Sequence, residues 1–176
     1  MEDTLRGFDI ALSQFLKNDI YLLQHDISER SITHKLAEYL KAEFREFHTD
    51  CEYNGDIDNP GTFRKELGID RDKMIELAVR KIDENDTYNI YPDVIVHFRG
   101  SNDNNLLVIE VKKRKGGKKA ENEKEFDKVK LGKFTTKYRY RLGIFLEFDI
   151  DKNSGVSEIA YFQGGEEAAP KALKDF

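Results

Sequence analysis

The sequence predicts an α/β protein, a mixed β-sheet with helices packed on its faces, in a single domain spanning residues 1–176. Three observations carry that expectation. Ahead of His48, apolar residues recur at three- and four-residue spacing, the mark of amphipathic helices. Four runs, Tyr91–Phe98, Leu106–Lys113, Leu142–Ile150 and Ser157–Gln163, have the length and the β-branched and aromatic content of strands. A further helical segment separates the second of these runs from the third, so strands and helices are interleaved.

Taken in order, Phe8, Ala11, Leu12, Phe15 and Leu16 form the first helical stripe, and Tyr21–Leu23 adds a short apolar turn. A stronger helix is predicted from about Ser28 to Phe47, with Asp26 and Glu29 spaced as a capping box. At about 100° per residue, Ile32, Leu36, Leu40 and Phe44 share one stripe, and Glu29 falls on it one turn earlier. A strand follows around His48–Tyr53, with Asp50 and Glu52 on one face, as on the polar side of an edge strand. The Asn-, Asp-, Gly- and Pro-containing segment from about 54 to 90 reads as an insertion between two strands. Within it, Met74, Leu77, Ala78 and Ile82 predict a helix over Asp70–Ile82.

Next, RGSNDNN at Arg99–Asn105 has strong turn chemistry between two strand-like runs, which predicts an antiparallel hairpin. Leu106 to Ile109 are apolar without alternation, as in a central strand covered on both faces. A Lys/Gly segment then leads into a helix near Glu121–Thr136, whose stripe of Phe126, Val129, the Lys133 stem and Phe134 is thin. Leu142–Ile150 and Ser157–Gln163 are the last strands. The tail after Gly164 is expected to be a short helix or frayed.

Composition limits the function classes. Although only 39% of residues are apolar, 12 Phe and 8 Tyr are enough to build a core. A lone cysteine, Cys51, excludes an internal disulfide framework, suits a reducing cytoplasm and is too isolated for a thiolate zinc site. No signal-peptide pattern and no apolar run of membrane-spanning length is present, so the expectation is a cytoplasmic protein without a membrane partner. The net charge of −5 argues weakly against a nucleic-acid partner, but its distribution is uneven. From Val111 to Arg141 there are 13 Lys/Arg against 4 Asp/Glu, a balance of +9, which leaves −14 for the remainder. Such asymmetry concentrates a polyanion at one face, although a solvated lysine-rich loop and helix would show it too.

The residues that carry chemistry are Pro92-Asp93 at the head of one strand and Glu110-Val111-Lys112 at the end of its hairpin partner. Alternation sets Glu110 and Lys112 on one face and Val111 on the other. Hairpin pairing can bring Asp93 alongside Glu110. Two carboxylates so arranged are hard oxygen ligands suited to Mg²⁺, with Mn²⁺ as substitute. A lysine beside them balances charge or orients the attacking water. A turn-initiating Asp after Pro and a same-face ion pair would account for the same residues more plainly. They leave unexplained why charge ends an otherwise apolar strand.

Spread across a hairpin, with a helix before and a helix and strand after, PD…EVK resembles the core of the PD-(D/E)XK nuclease superfamily, whose fold is called restriction-endonuclease-like. The resemblance covers roughly residues 28–163, apart from the segment between about 54 and 90. It implies metal-ligand roles for Asp93 and Glu110, a further ligand in the Val111 carbonyl, and assistance to the nucleophile by Lys112. It also points to Glu29 as the matching glutamate of the first core helix, a role that competes with the helix cap. The run Asp127-Lys128-Val129-Lys130-Leu131 is similar to a D-x-x-K-L run in some uncharacterised relatives.

The implied function is Mg²⁺-dependent hydrolysis of nucleic-acid phosphodiesters, with DNA favoured and a homodimer compatible with cutting both strands. Lys113, Arg114, Lys115, Lys118, Lys119, Lys130, Arg139 and Arg141 would then engage the phosphate backbone. Fold does not dictate function, so the alternative is a non-catalytic nucleic-acid-binding or assembly subunit that keeps the nuclease fold. The four histidines lack metal-ligand spacing, and His97 reads as a core or hairpin residue. Tyr138-Arg139-Tyr140-Arg141 interleaves aromatic and basic residues as strand-binding surfaces do, an alternation that core-facing tyrosines would also produce.

Overall fold

The structure, a computed structural model, describes residues 1–58, 61, 64–68, 87–150 and 154–170. Three helices come first: α1 (Glu2–Asn18), α2 (Tyr21–Gln24) and α3 (Glu29–Glu43). Edge strand β1 (His48–Cys51) follows, then a two-stranded ribbon of β2 (Glu66–Gly68) and β3 (Thr87–Asn89). The hairpin of β4 (Val94–His97) and β5 (Leu107–Lys113) leads through α4 (Lys118–Lys137) to β6 (Leu142–Asp149). Strands β7 (Gly155–Gln163) and β8 (Glu166–Ala168) complete a six-stranded sheet of order β1-β4-β5-β6-β7-β8.

The sheet is mixed: β5 and β6 run parallel, joined by α4, and the other neighbours are antiparallel. Because successive strand residues face opposite ways, the hairpin feeds two cores. Val94, Val96, Leu107, Ile109 and Val111 pack with the inner stripes of α1 and α3. Ile95 and Val108 instead pack under α4, with Phe126, Leu131, Phe134 and Phe145. β5 is therefore covered on both faces, as its unbroken apolar run predicts. The α/β class and the helix-flanked mixed sheet stand.

Several local expectations change. Asp26 and Glu29 do not form a capping box. Ser28 is the N-cap of α3, its Oγ accepting the Ser31 N–H at 3.2 Å, which makes Glu29 the first helical residue and not the third. Asp26 has φ 49°, and its Oδ1 accepts from Lys113 Nζ at 2.5 Å. The helix ends at Glu43, short of Phe47, because the chain turns into β1, with the Phe47 N–H bonded to the Phe44 carbonyl at 2.9 Å.

On α4 the inward face carries Asp127, Lys130, Leu131 and Gly132, while Lys133 points to solvent. The helix sits so close to the β7–β8 turn that a Cβ on Gly132 would lie 2.7 Å from the Gly165 carbonyl oxygen. That turn, Gly164 (φ +61°) and Gly165 (φ +98°), suits a two-residue hairpin, which needs positive φ at both positions. Residues after Gly164 thus begin as a strand, β8, and not as a helix. The helix expected over Asp70–Ile82 lies outside the described residues. Among the described residues, no helix is long and apolar enough to cross a membrane.

Candidate active site

Antiparallel pairing of Val94 with Ile109 brings the residue before β4 next to the residue after Ile109, so Asp93 adjoins Glu110. Asp93 lies at the bend where the chain enters β4. Its Oδ2 accepts the Val111 N–H at 2.7 Å, which ties its carboxylate to the neighbouring strand. Glu110 and Lys112 share the α4 face of β5, as alternation requires.

The α4 face supplies what the strands lack. Glu110 is 2% exposed, and its Oε2 lies 2.9 Å from Lys130 Nζ. Lys130 Nζ is also 2.7 Å from Asp127 Oδ1, and Lys112 Nζ is 2.9 Å from Asp127 Oδ2. A chain of alternating charge thus runs from Lys112 through Asp127 and Lys130 to Glu110. The same-face ion pair between Glu110 and Lys112, the plainer alternative to a site, is not made, because each has a partner on the helix.

Burial sets the electrostatics. It pushes the Asp93 carboxyl up to about 6, against the Val111 N–H and the Lys130 charge, which favour the ionised form. Glu110 is driven well above the usual carboxylate range, chiefly by burial, with Lys130 opposing and the charges of Asp93 and Asp127 adding to the rise. Burial disfavours the ammonium forms of Lys112 and Lys130. Asp127 outweighs it at Lys112, and Glu110 and Asp127 do so at Lys130, which holds both amines above the ordinary lysine range. Glu110 and Asp127 thus share two lysines, with the half-buried Asp93 carboxyl beside them.

Whether the residues suit a divalent cation turns on Glu110 Oε1. This oxygen is buried and has no hydrogen-bond partner, and a buried acceptor without a partner calls for an explanation. It belongs to a carboxyl group adjoining Asp93, and a cation there would favour the ionised form of both. Among the described residues, no group of three or more His, Cys, Asp or Glu side chains is arranged to hold a metal. Mg²⁺ is bound through one or two carboxylates with water and substrate phosphate. The donor set therefore fits an ion of that kind and does not form a fully protein-built cage.

Glu29 lines a groove of 720 Å³ together with Arg30, Lys35, Cys51, Glu52 and Asp93. Its Oε1 lies 3.6 Å from Lys115 Nζ. It stands at the mouth of the site, and with Ser28 as the cap its carboxylate is not part of a capping box.

The basic residues divide. Lys113 is bound to Asp26, and Arg114 reaches Asp149 Oδ1 at 3.1 Å. Lys115, Lys118 and Lys119 are exposed where the chain passes from β5 into α4. Lys130, expected on an exposed basic face, instead turns inward onto Glu110 and Asp127. Arg139 and Arg141 lie at the opposite end of β5, where the Arg141 N–H bonds the Asn105 carbonyl at 3.0 Å. At a rise of about 3.3 Å per residue that is roughly 20 Å from Lys112. They do not join the site, and Tyr138 and Tyr140 are both core residues, 3% and 2% exposed.

His97 is buried and bound to Asp50 Oδ2 at 3.0 Å, and Arg99 Nε donates to the same oxygen at 2.9 Å. This network clamps β1 to β4, so His97 is the interior histidine that was expected. Sequence reasoning left Asp127 unassigned, although its signal was present. A spacing of three residues sets Asp127 and Lys130 on one helical face, and two charged residues on the inward side of an amphipathic helix need partners there. Comparison of the chain with protein-family models, with curated proteins and with solved structures returned no match.

Proposed function

We propose that the protein is a metal-dependent nuclease of the PD-(D/E)XK type that hydrolyses nucleic-acid phosphodiesters, with DNA as the favoured substrate. The observation that carries this reading is the buried, unpartnered Glu110 Oε1 in a carboxyl group adjoining Asp93, with the Lys112 amine on the same face of the sheet. Asp93 and Glu110 would hold a Mg²⁺ or Mn²⁺ ion, with the Val111 carbonyl as the further ligand that the family resemblance implies. When bound, such an ion acidifies water and offsets the charge that develops on the phosphoryl group.

The chain's own groups have distinct tasks. The Val111 N–H orients the Asp93 carboxylate. Lys112 carries a positive charge at the rim, 25% exposed at its side chain, where it can orient a water or a phosphate oxygen. Lys115, which lines a crevice with Lys112, and the exposed Lys118 and Lys119 at the start of α4 would supply the attraction for a phosphate backbone.

The test is cleavage of duplex, nicked, branched and single-stranded DNA, and of RNA, with Mg²⁺ or Mn²⁺. Asp93→Ala, Glu110→Ala and Lys112→Ala should each abolish cutting while the circular dichroism spectrum stays native. A purified protein that cuts none of these substrates would sink the proposal.

One observation favours a second reading, a binding or assembly module that retains the fold. Lys112 and Lys130 already neutralise much of the carboxylate charge without any metal. Isothermal titration with Mn²⁺ separates the two, since a module of that kind has no need of the ion.

A further inference from the structure

We propose that Asp127 is a positioning residue that holds the Lys112 amine over the site and is not itself a metal ligand; this assignment rests on the nuclease reading of Asp93, Glu110 and Lys112. A lysine amine rides on a flexible four-carbon stem and goes where the nearest acceptor draws it. On β5 the nearest acceptor along the strand is Glu110, two residues earlier on the same face. That contact is not the one made. Lys112 Nζ lies 2.9 Å from Asp127 Oδ2, while Lys130 Nζ lies 2.9 Å from Glu110 Oε2.

Each oxygen of Asp127 has an ammonium group at contact distance, Oδ2 that of Lys112 and Oδ1 that of Lys130 at 2.7 Å, although Oδ2 makes no hydrogen bond of good geometry. With its side chain 5% exposed, Asp127 turns each oxygen to a lysine ammonium group. Glu110 differs, since only its Oε2 has an ammonium group at contact distance, and its buried Oε1 faces none among the described residues. The division of labour follows from these pairings: Glu110 and Asp93 face the cation, and Asp127 fixes the lysines. By taking Lys112 away from Glu110, Asp127 keeps that carboxylate open on one side and sets the amine at the rim.

The experiment compares the full chain with Asp127→Asn and Asp127→Glu in three measurements: Mn²⁺ binding by calorimetry, the acetylation rate of Lys112 by mass spectrometry, and kcat and KM for cleavage. In Asp127→Asn, Mn²⁺ binding should persist and Lys112 should acetylate several-fold faster. A misplaced catalytic group costs about 10²-fold, so kcat should fall by that order while KM changes little. Asp127→Glu should recover part of the loss, because it restores the charge with a longer arm.

Loss of Mn²⁺ binding in Asp127→Asn would overturn the proposal by making Asp127 a ligand. So would an unchanged Lys112 labelling rate. If the wild-type chain cuts nothing, the nuclease reading fails, and the labelling rate still decides whether Asp127 holds Lys112. Should Asp127→Asn not fold, labelling of Asp127→Glu decides instead, since lengthening the arm must shift the rate if the contact exists.

Discussion

Asp93 is held by one short hydrogen bond from a backbone amide, and the Lys130 and Lys112 charges also favour its ionised form. Burial is the larger influence and pushes its carboxyl up to about 6, from about 3.9 in an unfolded chain. A carboxyl group raised in this way stabilises the fold only while it is protonated. Without metal, its contribution is present below about pH 4 and lost as the pH rises through about 6. Urea unfolding in EDTA should show Asp93→Asn gaining on the wild type across that window, by about 3 kcal/mol at pH 7. A gap that stays constant with pH would show that Asp93 is not the titrating group. At this scale Asp93, Glu110 and Lys112 were legible, since strand alternation and hairpin pairing are short-range rules. Their ion-pair partners were not, because Asp127 and Lys130 reach them across the gap between helix and sheet.

Helix α4 shows how one element sets the site. Its inward face meets β5 through Asp127 and Lys130, and its far turn meets the β7–β8 hairpin through Gly132. Gly132→Ala would drive a methyl into the Gly165 carbonyl, a backbone atom with little room to yield. Overpacking of that kind costs about 1–3 kcal/mol, and a lowered urea midpoint with an unchanged m-value should record it. If the variant cuts more slowly while binding Mn²⁺ normally, the docking of α4 governs Lys112 and not the carboxylate pair. The β4–β5 hairpin was readable from its turn residues and apolar runs. The outward Lys133 and the strand β8 were not. A stripe interrupted by charge gives periodicity little to count, and a three-residue strand exists only because β7 is beside it.

For the whole molecule, the net charge of −5 conceals a basic segment of +9, and the fold parts that segment in two. Lys115, Lys118 and Lys119 stay at the end of β5 that carries Lys112 and at the start of α4, whereas Arg139 and Arg141 are carried about 20 Å away at the opposite end of β5. If DNA is the substrate, each phosphate contact contributes about 0.9 to the slope of log affinity against log salt. Replacing the three lysines with alanine should flatten that slope by about 2–3, while Arg139→Ala with Arg141→Ala should leave it unchanged. A fluorescence anisotropy titration at several salt concentrations checks both, and an effect confined to the arginines would move the binding face to the other end.

By itself the sequence determined the α/β class, the hairpin and the face that Glu110 and Lys112 share, because alternation and turn chemistry act between residues close in the chain. The tertiary structure alone decided which charges meet, that Ser28 and not Asp26 caps α3, and that Lys130 faces inward while the distal arginines stay apart. Those outcomes depend on how α4 and α3 lie against the sheet, and buried charges find their partners only once that packing is made.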